Sequence, residues 1–204
     1  MRIILLFAAL IAVQFTAQSQ GAVTLLTFES FTFADHFETY YGSGKVHDGF
    51  QWGGGLEFGD PMGNCLEIIY QRLDADFNYG DFGSSITDGQ VGINYIMLGG
   101  TRYMPTSEKM AGFGSFDMGV GWADVSADNY DFSSVAKFTV GGRAGVRIAA
   151  SEKLSLRLHA QLMIPLQWIG GGVWFGTGGS GASVSGGTTI VEFNLGGSVN
   201  YRFR

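Results

Sequence analysis

The chain has 204 residues, of which 33 are glycine, 3 proline and 1 cysteine, with a formal net charge of −6. A negative chain lacks the Lys/Arg excess that drives binding to nucleic-acid phosphates, and a lone cysteine, Cys65, excludes an internal disulfide framework. Glycine at more than twice its usual share of about 7% suits curved β-structure rather than helix.

The chain opens with basic Met1-Arg2, an apolar run of 11 residues over Ile3–Val13 and a polar, small-residue stretch over Gln14–Gln20. That layout predicts a secretory signal peptide over 1–19, with Ala17 and Ser19 fitting the cleavage pattern. Eleven apolar residues are too few to span a bilayer as a helix, which takes about 20. A single β-domain over 20–204 follows, and it is expected to be exported.

Eight strands are read in chain order. Ala22–Tyr41 supplies the first, with Glu29, Phe31 and Phe33 on one face. Phe50–Phe58, Cys65–Asp74 and Gln90–Met104 follow, then Gly112–Trp122, where Phe116, Met118, Val120 and Trp122 oppose Ser115, Asp117 and Gly119. In Lys137–Ile148, Phe138, Val140, Val146 and Ile148 oppose Lys137, Thr139, Arg143 and Arg147. Leu154–Trp168 sets Leu154, Leu156, Leu158 and Leu162 against Ser155, Arg157, His159 and Gln161. The last strand, within 189–203, sets Val191, Phe193, Leu195, Val199, Tyr201 and Phe203 against Glu192, Asn194, Ser198, Asn200 and Arg202. Side chains alternate faces along a strand, so each of these last four has an apolar and a polar face.

The connections alternate in length. Asp60–Asn64, Pro105–Lys109 and Ala149–Lys153 are tight turns, whereas Tyr41–Gly49, Ala75–Gly89, Ala123–Val135 and Gly170–Thr188 are long. A membrane barrel has this asymmetry, with short periplasmic turns and long external loops. The topology places Trp52, Trp122 and Trp168 at the external rim, and Phe58, Tyr103, Tyr201 and Phe203 at the opposite one, as two aromatic girdles.

Energetics orient the wall. A Lys or Arg facing mid-bilayer lipid costs about 2–4 kcal/mol, and several together exceed a typical stability of about 5–15 kcal/mol. The charged parity therefore faces inward: Glu57, Glu67, Asp117 and Glu192 against Lys137, Arg143, Arg147, Arg157 and Arg202. Strand edges are unsatisfied in lipid, so the sheet must close. The expected fold is all-β: a closed antiparallel up-and-down transmembrane β-barrel of eight strands. An eight-stranded interior is just wide enough for its own side chains, so opposite charges are expected to pair into a plug; a narrow diffusion pore is the alternative.

Other chemistry is thin. His159 points into the lumen, and His36 and His47 lie near the first loop without convincing partners. The loop aspartates Asp74, Asp76, Asp81 and Asp88, and Asp124, Asp128 and Asp131, have no calcium-loop spacing and read as a solvated surface. Gly171–Gly187 is not a phosphate loop, since it lacks Lys and no helix follows; it reads as a flexible external loop with Trp174 and Phe175 as surface anchors. No catalytic, metal or cofactor-binding residue is assigned.

YYGSGKVHDGFQWGGGLEFG (40–59), LEIIYQRLD (66–74) and the terminal strand resemble the small eight-stranded outer-membrane barrels of the OmpA/OmpX type. The resemblance is closer still to the "porin family / outer membrane beta-barrel" proteins of Bacteroidetes-like bacteria, and it covers most of 22–204. It implies location in the outer membrane of a Gram-negative cell, as a monomer in contact with outer-membrane lipid and lipopolysaccharide. It also implies insertion by the β-barrel assembly machinery, with Tyr201 and Phe203 as the assembly signal, although Arg204 follows the aromatic where such barrels usually finish on it. A structural or surface-interaction role is expected. Outer-membrane lipid A deacylases share this scaffold, but their His-x-Ser dyad is replaced here by His159-Ala160-Gln161, so a lipid-modifying enzyme ranks last.

Overall fold

A computed structural model describes residues 21–33, 35–38, 42–60, 62–81, 86–127, 136–166, 170–176, 179–185 and 191–203. Residues 1–19, expected as a signal peptide, lie outside them, as do Trp168, Asp128 and Asp131. The strands are β1 (Ala22–Thr32), β2 (Asp35–Glu38), β3 (Gly42–Val46), β4 (Gly49–Gly59), β5 (Asn64–Asp81) and β6 (Ile86–Pro105). They continue with β7 (Met110–Ala127), β8 (Lys137–Ala149), β9 (Leu154–Leu166), β10 (Gly170–Gly176), β11 (Gly179–Ser185) and β12 (Glu192–Arg202).

Eight of these close a ring. β1, β4, β5, β6, β7, β8, β9 and β12 pair in turn, each antiparallel to its neighbours, and β12 returns to β1. Closure leaves the ring no edge. The ladder from Ala22 through Gly59, Cys65, Thr101, Ser115, Arg143, Gln161 and Asn194 comes back to β1 at Thr32, ten residues farther on. With strands about 4.8 Å apart and about 3.3 Å per residue, that stagger tilts them by about 40°.

Alternation then assigns each side chain. Leu56, Ile68, Leu98, Met118, Leu158 and Leu195 are exposed on the outside of the wall. Leu26, Phe28, Ile69, Tyr95, Met97 and Met163 pack together inside. Nearer the tight turns, Cys65, Tyr103, Ala111 and Phe113 form a second inner cluster.

All three tight turns lie at the end of the barrel where β1 begins and β12 ends. Two share the tripeptide Ser-Glu-Lys. Ser107 Oγ accepts from the Met110 N–H at 3.1 Å, and Ser151 Oγ accepts from the Leu154 N–H at 3.0 Å. In the turn between β4 and β5, Asp60 Oδ1 accepts from the Met62 N–H at 2.9 Å. Gly59 enters that turn at φ 143°, and a Cβ there would lie 2.5 Å from the Asn64 carbonyl oxygen. Only glycine fits both demands.

At the opposite end the structure corrects four expected segments. The first strand stops at Thr32 rather than running to Tyr41. The expected loops Tyr41–Gly49 and Ala75–Gly89 are largely strand: β3 pairs with Phe77–Asp81 of β5, and β5 pairs with β6 as far as Gly80↔Ile86. The long Gly/Ser-rich segment contains the β10–β11 hairpin. Beyond the apolar band nothing forces apolar and polar residues to alternate, so sequence alternation no longer marks a strand.

Candidate functional site

Seven charged side chains from six strands are buried inside the barrel. Glu57 comes from β4, Glu67 from β5, Asp117 from β7, Arg143 and Arg147 from β8, Arg157 from β9 and Glu192 from β12, and all seven are buried. Arg143 Nη2 lies 2.5 Å from Glu67 Oε1 and 3.3 Å from Asp117 Oδ2. Thr101 donates to the same Glu67 oxygen at 2.8 Å. Arg157 donates to Glu57 and to the Tyr103 hydroxyl, and its Nη1 stands 4.0 Å from Glu67 Oε2. Tyr103 in turn donates to Glu57 at 2.9 Å, and Tyr95 to Glu192.

Rings cover the guanidinium faces. Arg143 sits 4.8 Å over Phe28, Arg147 5.4 Å over Tyr103, and Arg157 5.1 Å over Tyr103 and 5.2 Å over Phe113. Farther up the lumen, neutral polar pairs lie near Glu192. Gln71 and Gln161 exchange hydrogen bonds at 3.3 and 2.8 Å, and Ser30 donates to Gln51 at 3.1 Å. Three carboxylates, Glu57, Glu67 and Asp117, thus mesh with two guanidiniums, Arg143 and Arg157, across the barrel. Each brings the desolvation cost of a buried charge, which only a paired, hydrogen-bonded arrangement offsets.

Lys137 and Arg202 stand apart, half-buried at strand ends. His159 is inside, its ring edge-on to Phe28 at 6.1 Å, and its Nε2 has no hydrogen-bond partner.

The aromatic girdle needs one correction. Trp52, Phe58, Trp122, Tyr201 and Phe203 point outward, whereas Tyr103 is 3% exposed and turned into the lumen. Both faces of Gln90–Met104 carry apolar residues, so parity alone does not orient Tyr103; its hydroxyl is drawn inward by Glu57 and Arg157. Outward Phe31, Phe50 and Phe193 complete the external rim, a place the sequence reading does not give them, although each lies on the face opposite a buried polar neighbour.

A second cluster on the outside of the wall corrects the reading of Asp74 and Asp124 as solvated loop aspartates: they lie in β5 and β7 and bond to Arg72, Trp52 and Asn94. Arg72 Nε donates to Asp74 at 2.8 Å, and its Nη1 lies 3.8 Å from Asp124. Trp52 Nε1 donates to Asp74 at 3.0 Å, Tyr70 to Asn94 at 2.8 Å, and Asn94 Nδ2 to Asp124 at 2.9 Å. Arg72, Asp74 and Trp52 share the outward parity of their strands, which is the signal available in the sequence.

No family model and no curated protein sequence matches the chain. Solved structures do. Neisserial surface protein A superposes with a TM-score of 0.60 at 14% identity, covering 89% of this chain and 97% of that one. This chain has the fold of a small outer-membrane β-barrel. The outer membrane protein OprG of Pseudomonas aeruginosa matches with a TM-score of 0.57 at 10% identity, over 89% and 96% of the two chains. Ail, the attachment invasion locus protein of Yersinia pestis, solved with the heparin analogue sucrose octasulfate, gives 0.50 at 12% identity, over 89% and 99%.

Proposed function

We propose that this chain is an integral outer-membrane protein, exported through residues 1–19, with a structural or surface-interaction role and no catalytic activity. The carrying observation is the way the wall outgrows the ring on one side. β4 pairs with β5 only to Phe50↔Asp74 and β8 with β7 only to Gly121↔Lys137, yet β5–β6 runs to Gly80↔Ile86 and β6–β7 to Gly89↔Ala127. β3 and β2 extend this sheet sideways. Among the described residues no strand pairs with the far edge of β2 or with the β8-side edge of Trp122–Ala127 in β7. Unpaired edges outside the bilayer offer backbone groups for strand addition by a protein partner.

The charge lattice supports a closed lumen. His159, buried against Phe28 with no nucleophile or acid bonded to it, lacks the constellation a catalytic base needs. The assignment to the OmpA/OmpX type and to the porin-like barrels of Bacteroidetes-like bacteria is part of the same proposal. So are a monomeric state, contact with lipopolysaccharide, and Tyr201 and Phe203 as the signal read by the insertion machinery.

A narrow pore is the second reading, favoured by one observation. Asn194 is wholly buried in the lumen, yet neither its Oδ1 nor its Nδ2 has a partner, and Thr32 Oγ1 beside it is also unpartnered. Buried polar atoms of this kind are met by water. Planar-bilayer recording separates the two readings: the closed lumen gives no unitary current, and reproducible current steps from purified protein would establish the pore.

A further inference from the structure

We infer that Glu29 and Thr27 form, on the lipid-facing side of β1, a binding notch for a small lipophilic amine dissolved in the bilayer. The inference rests on the membrane reading above, because only in a membrane does this wall meet lipid. Odd positions of β1 face outward: Leu25 and Phe31 are exposed, while Leu26, Phe28 and Ser30 are buried. Glu29 shares the outward face and is exposed. Its partner on β12 is Gly197, four residues below Phe193 and four above Tyr201, outward aromatics of the two rims. At about 3.3 Å per residue and a tilt of about 40°, four residues are about 10 Å of depth. The acid thus stands midway between the girdles, where an ionisable group is costly and marks function. Among the described residues no side chain bonds to its carboxylate.

The seam beside Glu29 is also interrupted. Among the described residues every other ladder of the ring is continuous over its paired length. The β1–β12 register alone skips two pairs, Thr27↔Val199 and Phe28↔Ser198, between Leu26↔Asn200 and Glu29↔Gly197. Thr27 Oγ1 wedges into the gap, accepting from the Val199 N–H at 3.2 Å and donating to the Val199 carbonyl at 3.1 Å. Outward residues of β1 are the ones whose backbone bonds toward β12, as Phe33 N–H does to Phe193 and as Phe203 N–H does to Val23. The Thr27 carbonyl has therefore lost its ladder donor to its own side chain. A carbonyl and a carboxylate, two residues apart on one strand, stand as acceptors in a medium without water.

Shape and charge choose the occupant. Gly54 lies across from Thr27 and Gly197 across from Glu29, and neither adds a side chain. Trp52, Phe31 and Leu195 project above this row, and Leu25, Leu56 and Val199 below it. The hollow is one residue tall, which admits the end of a small molecule but not the flat wall of another barrel. The two acceptors require donors and the carboxylate requires a cation; a protonated primary amine supplies three N–H groups and the charge together. Depth excludes other cations, since a hydrated metal ion does not enter hydrocarbon and a phospholipid ammonium stays in the headgroup layer. Trp52, directly across from Glu29 on β4, gives the cation an aromatic neighbour.

The test uses the full chain, one barrel per phosphatidylcholine nanodisc. Only samples that show the heat-modified gel shift of an inserted barrel are scored, so failure to insert counts against the membrane reading and not against the site. The probe is dodecylamine carrying a photoreactive diazirine, with the alcohol of the same chain as its neutral counterpart, and mass spectrometry maps the adducts. The expected result is about tenfold more amine adducts on Leu25–Phe31 and Leu195–Val199 than on Met118 and Val120 across the barrel, with no such bias for the alcohol. Glu29→Gln should abolish the bias and keep the gel shift. Thr27→Val, which returns the Val199 N–H to the ladder, should reduce the bias severalfold. Equal labelling of both walls, an equal bias for the alcohol, or a bias that survives Glu29→Gln would overturn the site. A bias unchanged in Thr27→Val would replace the notch by bare charge attraction. Full competition by added phosphatidylethanolamine would give the carboxylate to a lipid headgroup instead, and a bias seen only with two barrels per disc would give it to a second copy.

Discussion

Asn194 and Leu195 are adjacent in sequence and live in opposite media: Asn194 is 0% exposed inside the barrel, and Leu195 is 46% exposed outside it. Leu195→Arg sets a guanidinium against lipid and is expected to cost about 2–4 kcal/mol, as at other mid-bilayer barrel positions. Asn194→Arg enters a lumen that already holds Glu192 on the same face and should cost less. Urea midpoints of the refolded barrels, followed by gel shift, give both values. The charge lattice makes a separate prediction. Glu67→Gln leaves Arg143 with Asp117 alone and should cost about 3–5 kcal/mol, the usual effect of breaking a buried pair. Arg143→Met added to Glu67→Gln strands Asp117 in turn, so recovery of part of the loss is expected only when Asp117→Asn is added as well. A triple variant no more stable than Glu67→Gln would show that unpaired charge is not the source of the loss.

Among the elements, β8, β9 and β12 were legible because every second residue meets lipid and its neighbours meet a charged lumen. Phe138 to Ile148 and Leu154 to Leu162 alternate without a break in both sequence and structure. The upper parts of β5, β6 and β7 were not legible, since outside the apolar band nothing forces alternation. Tyr103 was misplaced for a related reason: the partners that draw it inward, Glu57 and Arg157, are 46 and 54 residues away. The side of the wall that carries each lumen charge could be read from parity. Which charge meets which could not, because Arg157 reaches Glu57 across 100 residues of sequence. Hydrogen exchange tests the extended ladder. Amides of Phe77–Gly80 should exchange far more slowly than those of an exposed loop, despite lying beyond the membrane. Rapid exchange there would return the segment to a loop and remove the platform on which the surface-interaction role rests. The Ser-Glu-Lys turns give a smaller effect: Ser151→Ala loses two backbone N–H contacts and should cost about 0.5–1.5 kcal/mol in the same urea assay.

At the scale of the whole molecule, the ring of eight strands, the ten-residue stagger and the apolar exterior describe one object: a wall that is dry outside and charged inside. A soluble barrel of the same topology would invert that arrangement, with Leu195, Leu162 and Phe138 turned inward. Single cysteines decide between them in a Cys65→Ala background. Leu195→Cys, Leu162→Cys and Phe138→Cys should react in native membranes with a lipid-soluble maleimide and resist a charged one. Asn194→Cys, Gln161→Cys and Thr139→Cys, one residue away in each strand, should not take the lipid-soluble label. Labelling of the second set in place of the first would contradict the membrane barrel and every role assigned to its two faces.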